Sequence, residues 1–392
     1  MRPPYPKLDA HLADAGADGF LVDADGEDST QYYLSGYHAP DDFATLYADG
    51  DVYLLVSGLE YTRAVADSDA AEVRKLDDYG YREKAAEVGP PEAMKLVVAD
   101  FVADYGVDSV SVPASFPTGT ADALRDAGVG VDPQYHDPVE RVRAVKADEE
   151  LECVRTAQAA NEAALAAVEA LLADASVDED GVLRHGGDAL TSERVRDRIA
   201  GVLDDHDCVG SETIVACGPA AARAHDTGSG PLRADTPIVV DVFPEHEPTR
   251  YYGDVTRTFV KGEPSEQARE WYDVAHEAYE AALDAVEPGA TGEDVHFAAC
   301  DVVEDAGYPT TRSHDGPENG FFHSTGHGVG LDVHESPHLA EHGEVLEPGH
   351  VVTVEPGVYE QGVGGVRVED LVVVTEDGYE NLTDYPTDLR VL

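Results

Sequence analysis

Positive charge is what this chain has least of. Its 26 lysines and arginines stand against 80 aspartates and glutamates, a net charge of −54 at pH 7. The acid is spread along the whole chain, with no basic patch to release phosphate counterions, which excludes nucleic acid as a partner. Cysteine is scarce as well. Cys153, Cys208, Cys217 and Cys300 show no close-pair spacing, so neither a disulfide framework nor a cysteine metal site is expected, and all four read as reduced core or helix residues. Long apolar runs are also missing. Nothing approaches the ~18 apolar residues of a membrane span, and the start Met1-Arg-Pro-Pro-Tyr-Pro-Lys-Leu-Asp9 lacks the apolar stretch of a secretion signal. A cytoplasmic protein with no membrane partner is expected.

High charge with low hydrophobicity would mean disorder, but this chain is 42% hydrophobic with clear helix and strand periodicity, so the acid belongs on the surface. Such a surface repels itself in dilute buffer. At about 1 M salt the Debye length shrinks to ~3 Å and the repulsion is screened, which points to a halophilic protein.

What the chain does have is His323-Ser-Thr-Gly-His327-Gly-Val-Gly-Leu-Asp-Val-His334-Glu335, three histidines and three glycines within twelve residues. Two carboxylate segments precede it, ending at Asp241 and starting at Asp254, and two follow it, at Glu355 and Glu369. Imidazole with carboxylate suits divalent first-row metals better than magnesium or calcium. Catalytic zinc usually takes three protein ligands, so Asp241, Asp254, His327, Glu355 and Glu369 fit two ions better than one. Strand periodicity supports the grouping: Arg367 and Glu369 share a face, as do Asp254, Thr256 and Thr258, and Pro237 to Val242 reads as a buried strand. Carboxylates mid-strand among valines are costly unless paired or metal-bound. Any one of them alone, such as Asp241, is more readily structural; their co-occurrence reverses that reading. The His323/His327 spacing is not the zinc-helix motif, because no Glu follows His323 and the glycines oppose a helix.

In ordered motif these residues resemble the pita-bread metallopeptidases, the family of Xaa-Pro dipeptidase, Xaa-Pro aminopeptidase, methionine aminopeptidase and creatinase. The resemblance covers most of the chain. It implies an α/β (α+β) protein of two domains, an amino-terminal creatinase/prolidase-like domain over 1–142 and a pita-bread catalytic domain over 143–392. It implies hydrolysis of Xaa-Pro bonds in short proline-containing peptides, because the front domain and the third histidine are features of that branch. Dipeptidase and aminopeptidase both remain open. Further implications are two divalent ions, manganese first with cobalt, zinc or iron as alternatives, and a homodimer. His225, His323 and His334 would support the ligands or touch substrate. Glu355 would shuttle the proton, His334 would stabilise the oxyanion, and Arg367 would orient Asp241 or a neighbouring carboxylate. A pita-bread peptide-binding module without catalysis is the alternative, disfavoured because such relatives lose metal ligands.

Two departures from the family pattern stand out: Phe243 where a glycine is usual, and a longer connection from Phe243 to Gly253, read as a modified hairpin loop. His338, His342 and His350 read as surface residues, and Glu335 as solvated or structural. In the first domain, helices over Leu8 to Ala15 and Pro91 to Tyr105 alternate with strand-like runs at Gly19, Asp51 and Asp108, and by resemblance Gln31 to Tyr37 would be the family's front-domain strand. Helices are expected over Asp148 to Ala175, about Glu266 to Val286, and about Gly292 to Ala306.

Overall fold

A computed structural model describes residues 5–392, which divide between Arg143 and Ala144 into two compact units. In the first unit a six-stranded mixed sheet runs in the order Glu72–Lys75, Asp51–Val56, Phe43–Ala48, Gly19–Ala24, Ser109–Pro113, Gly130–Gln134. Alternating apolar runs make these strands, and the helix Pro90–Asp104 buries Val97, Phe101 and Val102 against Leu21, Leu46 and Val110.

One expected strand is a helix. Ser29–Ser35 starts with Asp28, whose side chain accepts from the Gln31 N–H, and ends at Gly36 in the left-handed conformation. The resemblance suggested a strand, but the cap and the terminal glycine decide the local conformation, and Tyr33 and Leu34 are buried.

The second unit is built from two sheets. The first runs Ile214–Cys217, Ile238–Val242, Val255–Val260, Arg390–Val391, and the second Glu335–Leu339, Gly326–Gly328, Val351–Val354, Asp370–Thr375, Gly378–Asn381. Each carries a pair of helices. Asp148–Asp174 and Ser192–Asp204 pack Leu165, Val168 and Ile199 onto the first sheet, while Glu266–Asp284 and Gly292–Asp305 pack Tyr279, Val295 and Val303 onto the second. Helix propensity explains the first of these: alanine, leucine and glutamate dominate its 27 residues. A hairpin, Gly357–Glu360 with Gly364–Arg367, completes the unit. No described helix is long and apolar enough to cross a membrane.

The Phe243 to Gly253 connection contains a strand of its own, Glu245–His246, paired antiparallel with Cys208–Val209. The four cysteines are free; Cys208 and Cys300 are buried, Cys153 and Cys217 partly so. Glu335 is not solvated: it lies buried in an ion pair with Lys146, N to O 2.5 Å, both side chains 1% exposed. His350 is buried too, its Nδ1 accepting from the Glu347 N–H at 3.1 Å, whereas His338 and His342 are exposed. Glu335 is thus structural, one of its two expected readings, and it is His350 that departs from expectation. Partners distant in sequence, or a local turn, satisfy polar groups that composition alone assigns to solvent.

Candidate metal centre

The strand Ile238–Val242 carries Asp241 directly opposite Thr256 on its antiparallel neighbour. Asp254 precedes that neighbour, and its backbone is fixed from outside by helix Asp148–Asp174. Gln158 accepts from the Asp254 N–H at 2.9 Å and donates to the Asp254 carbonyl at 2.9 Å.

From the second sheet come His327 and Glu355. Gly326 lets their strands close, since a Cβ there would lie 1.9 Å from the Thr353 carbonyl oxygen. The His327 Nδ1–H donates to the Gly328 carbonyl at 3.2 Å. Its other nitrogen therefore faces Glu355, 3.3 Å away, and Asp254, 3.8 Å away. The Glu355 N–H donates to the Thr325 carbonyl at 2.8 Å. Glu369 lies between the hairpin and the strand Asp370–Thr375, and accepts from the Thr256 hydroxyl at 2.7 Å.

These five side chains come together. Asp254, His327 and Glu369 each present a ligand atom within 4.8 Å of the others, and Asp241 and Glu355 line the same cavity of about 620 Å³. Burial first, and then the neighbouring carboxylates, push Asp254 and Glu369 well above the usual carboxylate range. Burial raises Asp241 against the pull of Arg367. Glu355 behaves oppositely: although burial opposes it, His327 first and Arg367 after it favour its charge and bring it down to about 2. Despite its burial, His327 is raised by Glu355.

The cluster is short of positive charge. Arg367 is the one arginine or lysine among the described residues lining the cavity, and it is committed to Asp241, Nη2 to Oδ2 2.5 Å. The other Asp241 oxygen, Oδ1, is buried with no hydrogen-bond partner among the described residues. An orphaned carboxylate oxygen, an inward imidazole nitrogen and carboxylates that repel one another fit divalent cations.

Behind the cluster lie supports. Arg367 Nε donates to Thr256 Oγ1 at 3.1 Å and Nη1 to the Tyr359 hydroxyl at 3.0 Å. Tyr359 donates in turn to His323 Nε2 at 3.0 Å, and His323 Nδ1 donates to the Ser324 carbonyl at 2.7 Å. Burial brings His323 down to about 4, so it is neutral at physiological pH, as this relay requires. Arg257 is fully buried and binds the Glu369 carbonyl and Asp370, 2.5 and 2.6 Å, while Tyr279 donates to Asp370 at 2.5 Å. Sequence reasoning missed Tyr359, Arg257 and Tyr279. The arginine between two site threonines was the available signal for one of them.

His225 and His334 are exposed and line the cavity, as does His338. His334 packs its ring edge-on against His327, centroids 4.3 Å apart, and burial followed by His327 lowers its pKa.

Residues 152–376 match the description Metallopeptidase family M24, and residues 5–145 match Creatinase/Prolidase N-terminal domain. The Xaa-Pro dipeptidase of Pyrococcus horikoshii is 28% identical over 363 residues, covering 91% of each chain. Among solved structures, an Xaa-Pro dipeptidase from Bacillus anthracis shares the fold with TM-score 0.81 and 24% identity over 99% of each chain. An X-Pro aminopeptidase from Thermotoga maritima gives TM-score 0.78 and 25% identity over 96% of this chain and 98% of that one.

Proposed function

Because this chain belongs to metallopeptidase family M24, an enzyme with a creatinase-like front domain and a pita-bread catalytic domain, we propose that it hydrolyses the bond before proline in short peptides. The observation that carries this reading is the buried cluster of Asp241, Asp254, His327, Glu355 and Glu369 with its deficit of positive charge. We assign these five as ligands of two divalent ions, manganese first and cobalt, zinc or iron as alternatives. When bound, the ions polarise the scissile carbonyl and lower the pKa of a held water toward ~7.

The chain's own groups do the rest. Glu355, ionised at neutral pH, takes a proton from water and delivers it to the leaving prolyl nitrogen, which departs as a secondary amine only once protonated. His334, beside His327 at the cavity wall, donates to the carbonyl oxygen as negative charge develops. Arg367 holds Asp241 in place, and Tyr359 ties Arg367 to His323, so that ligand and substrate-facing histidine share one support. His225, which also lines the cavity, contacts substrate. The domain division 1–142 and 143–392, a cytoplasmic homodimer and a halophilic habit complete the proposal.

Replacing Glu355 with Gln tests the mechanism. Proline release from Leu-Pro, in molar KCl with added manganese, disappears while the fold and bound metal persist; full activity in that variant contradicts the assignment. Cleavage of Leu-Pro-Pro beside Leu-Pro separates aminopeptidase from dipeptidase.

A further inference from the structure

Phe243 sits two residues beyond Asp241, on the face of the strand that carries Asp241. The register that pairs Val242 with Val255 continues, since the Gly253 N–H donates to the Pro244 carbonyl at 3.1 Å, and this brings Phe243 level with Asp254. On the other side Ile214 pairs with Asp241. Phe243 and Ile214 both line the cavity, so an apolar wall stands directly beside the carboxylate cluster. A glycine at 243 would leave that wall open.

The wall is fixed in place. Just beyond it, Glu245–His246 pairs with Cys208–Val209, Arg250 and the Tyr252 hydroxyl both bond Glu245, and the Tyr252 N–H donates to the Gly330 carbonyl at 2.8 Å.

We propose that Phe243 is a specificity-determining residue, forming with Ile214 the seat for the side chain of the residue before proline. The inference rests on the reading that this site cleaves Xaa-Pro bonds. Glu355, the proton donor to the prolyl nitrogen, and His334 come from the second sheet, whereas Phe243 comes from the first. A peptide with its prolyl nitrogen at Glu355 directs the preceding residue to the Phe243 side of the cluster. The substrate class is therefore Xaa-Pro peptides with apolar Xaa. Apolar selection suits a chain of charge −54 in concentrated salt, where exposed ion pairs are screened and apolar burial is not weakened.

The test is kcat/KM for Leu-Pro, Ala-Pro and Gly-Pro, alongside Leu-pipecolic acid to probe the leaving ring, in molar KCl with manganese. The wild type favours Leu-Pro over Gly-Pro by about tenfold or more, Phe243→Gly reduces that ratio about tenfold, and Phe243→Leu keeps most of it. Phe243→Trp shrinks the seat and shifts preference from Leu-Pro toward Ala-Pro. The ratio between the two leaving rings stays fixed throughout. Unchanged Xaa ratios in the Gly and Trp variants overturn the proposal, as does a change confined to the ring ratio. A wild type silent on every substrate overturns the Xaa-Pro reading itself, and this inference with it.

Discussion

Stripping the ions should cost the protein more stability the higher the pH. In the metal-free chain, Asp254 and Glu369 have ligand oxygens at most 4.8 Å apart and are raised well above the usual carboxylate range, by burial first and by each other's company second. At an effective dielectric of about 20, two full charges at that separation repel by about 3.5 kcal/mol. The sign follows from proton counts. Below about pH 4 folded and unfolded chains are both protonated at these groups; above it the unfolded chain releases protons that the folded chain retains, so stability drops as pH climbs through the raised range. Bound cations replace those protons and remove the penalty. They also add about 4 kcal/mol per site at a thousandfold excess over Kd. Melting of chelator-stripped and manganese-restored protein in molar KCl at pH 5 and pH 8 reads both effects. The gap between the two forms widens by about 3.5 kcal/mol toward pH 8, or about 7 °C for a unit of this size. A gap independent of pH, or identical melting of the two forms, refutes the reasoning.

Other outcomes follow from the same geometry. Arg367→Met removes the partner of Asp241 and the donor to Tyr359, and lowers turnover about 10 to 100-fold; unaltered kcat contradicts the support role. Lys146→Met removes the cation facing the buried Glu335 carboxylate and costs about 3 to 5 kcal/mol in a denaturant titration, while adding Glu335→Gln recovers part of it. Equal stability of the single variant and the wild type would sink that account. Moving from molar KCl to dilute buffer lowers the melting temperature, because a net charge of −54 loses its screening; unchanged melting rejects the halophilic reading.

Much of this was legible in the chain because the informative features are local. The run ending at Asp241 reads as a strand because it is almost wholly apolar, the one beginning at Asp254 because threonine recurs at alternate positions, and the helices over Asp148, Glu266 and Gly292 announce themselves by periodicity and propensity. The grouping of five ligands needed ordered motifs as well, since a single buried aspartate has many explanations. What escaped was non-local. Tyr359 reaches His323 across 36 residues, Glu335 meets Lys146 across 189, and Arg257 reaches Asp370 across 113; no periodicity encodes such meetings. The helix Ser29–Ser35 escaped for a different reason. The resemblance favoured a strand, while Asp28 and Gly36, the residues that bound the helix, were readable in the chain.

The central claim is that Asp241, Asp254, His327, Glu355 and Glu369 hold two ions on which Xaa-Pro hydrolysis depends. It is tested most directly by counting bound manganese while following proline release from Leu-Pro as metal is returned to stripped protein in molar KCl. The account predicts two ions per chain at full loading and no release before metal is added. Steady hydrolysis of Leu-Pro by the stripped chain, or full loading without any proline release, would contradict it.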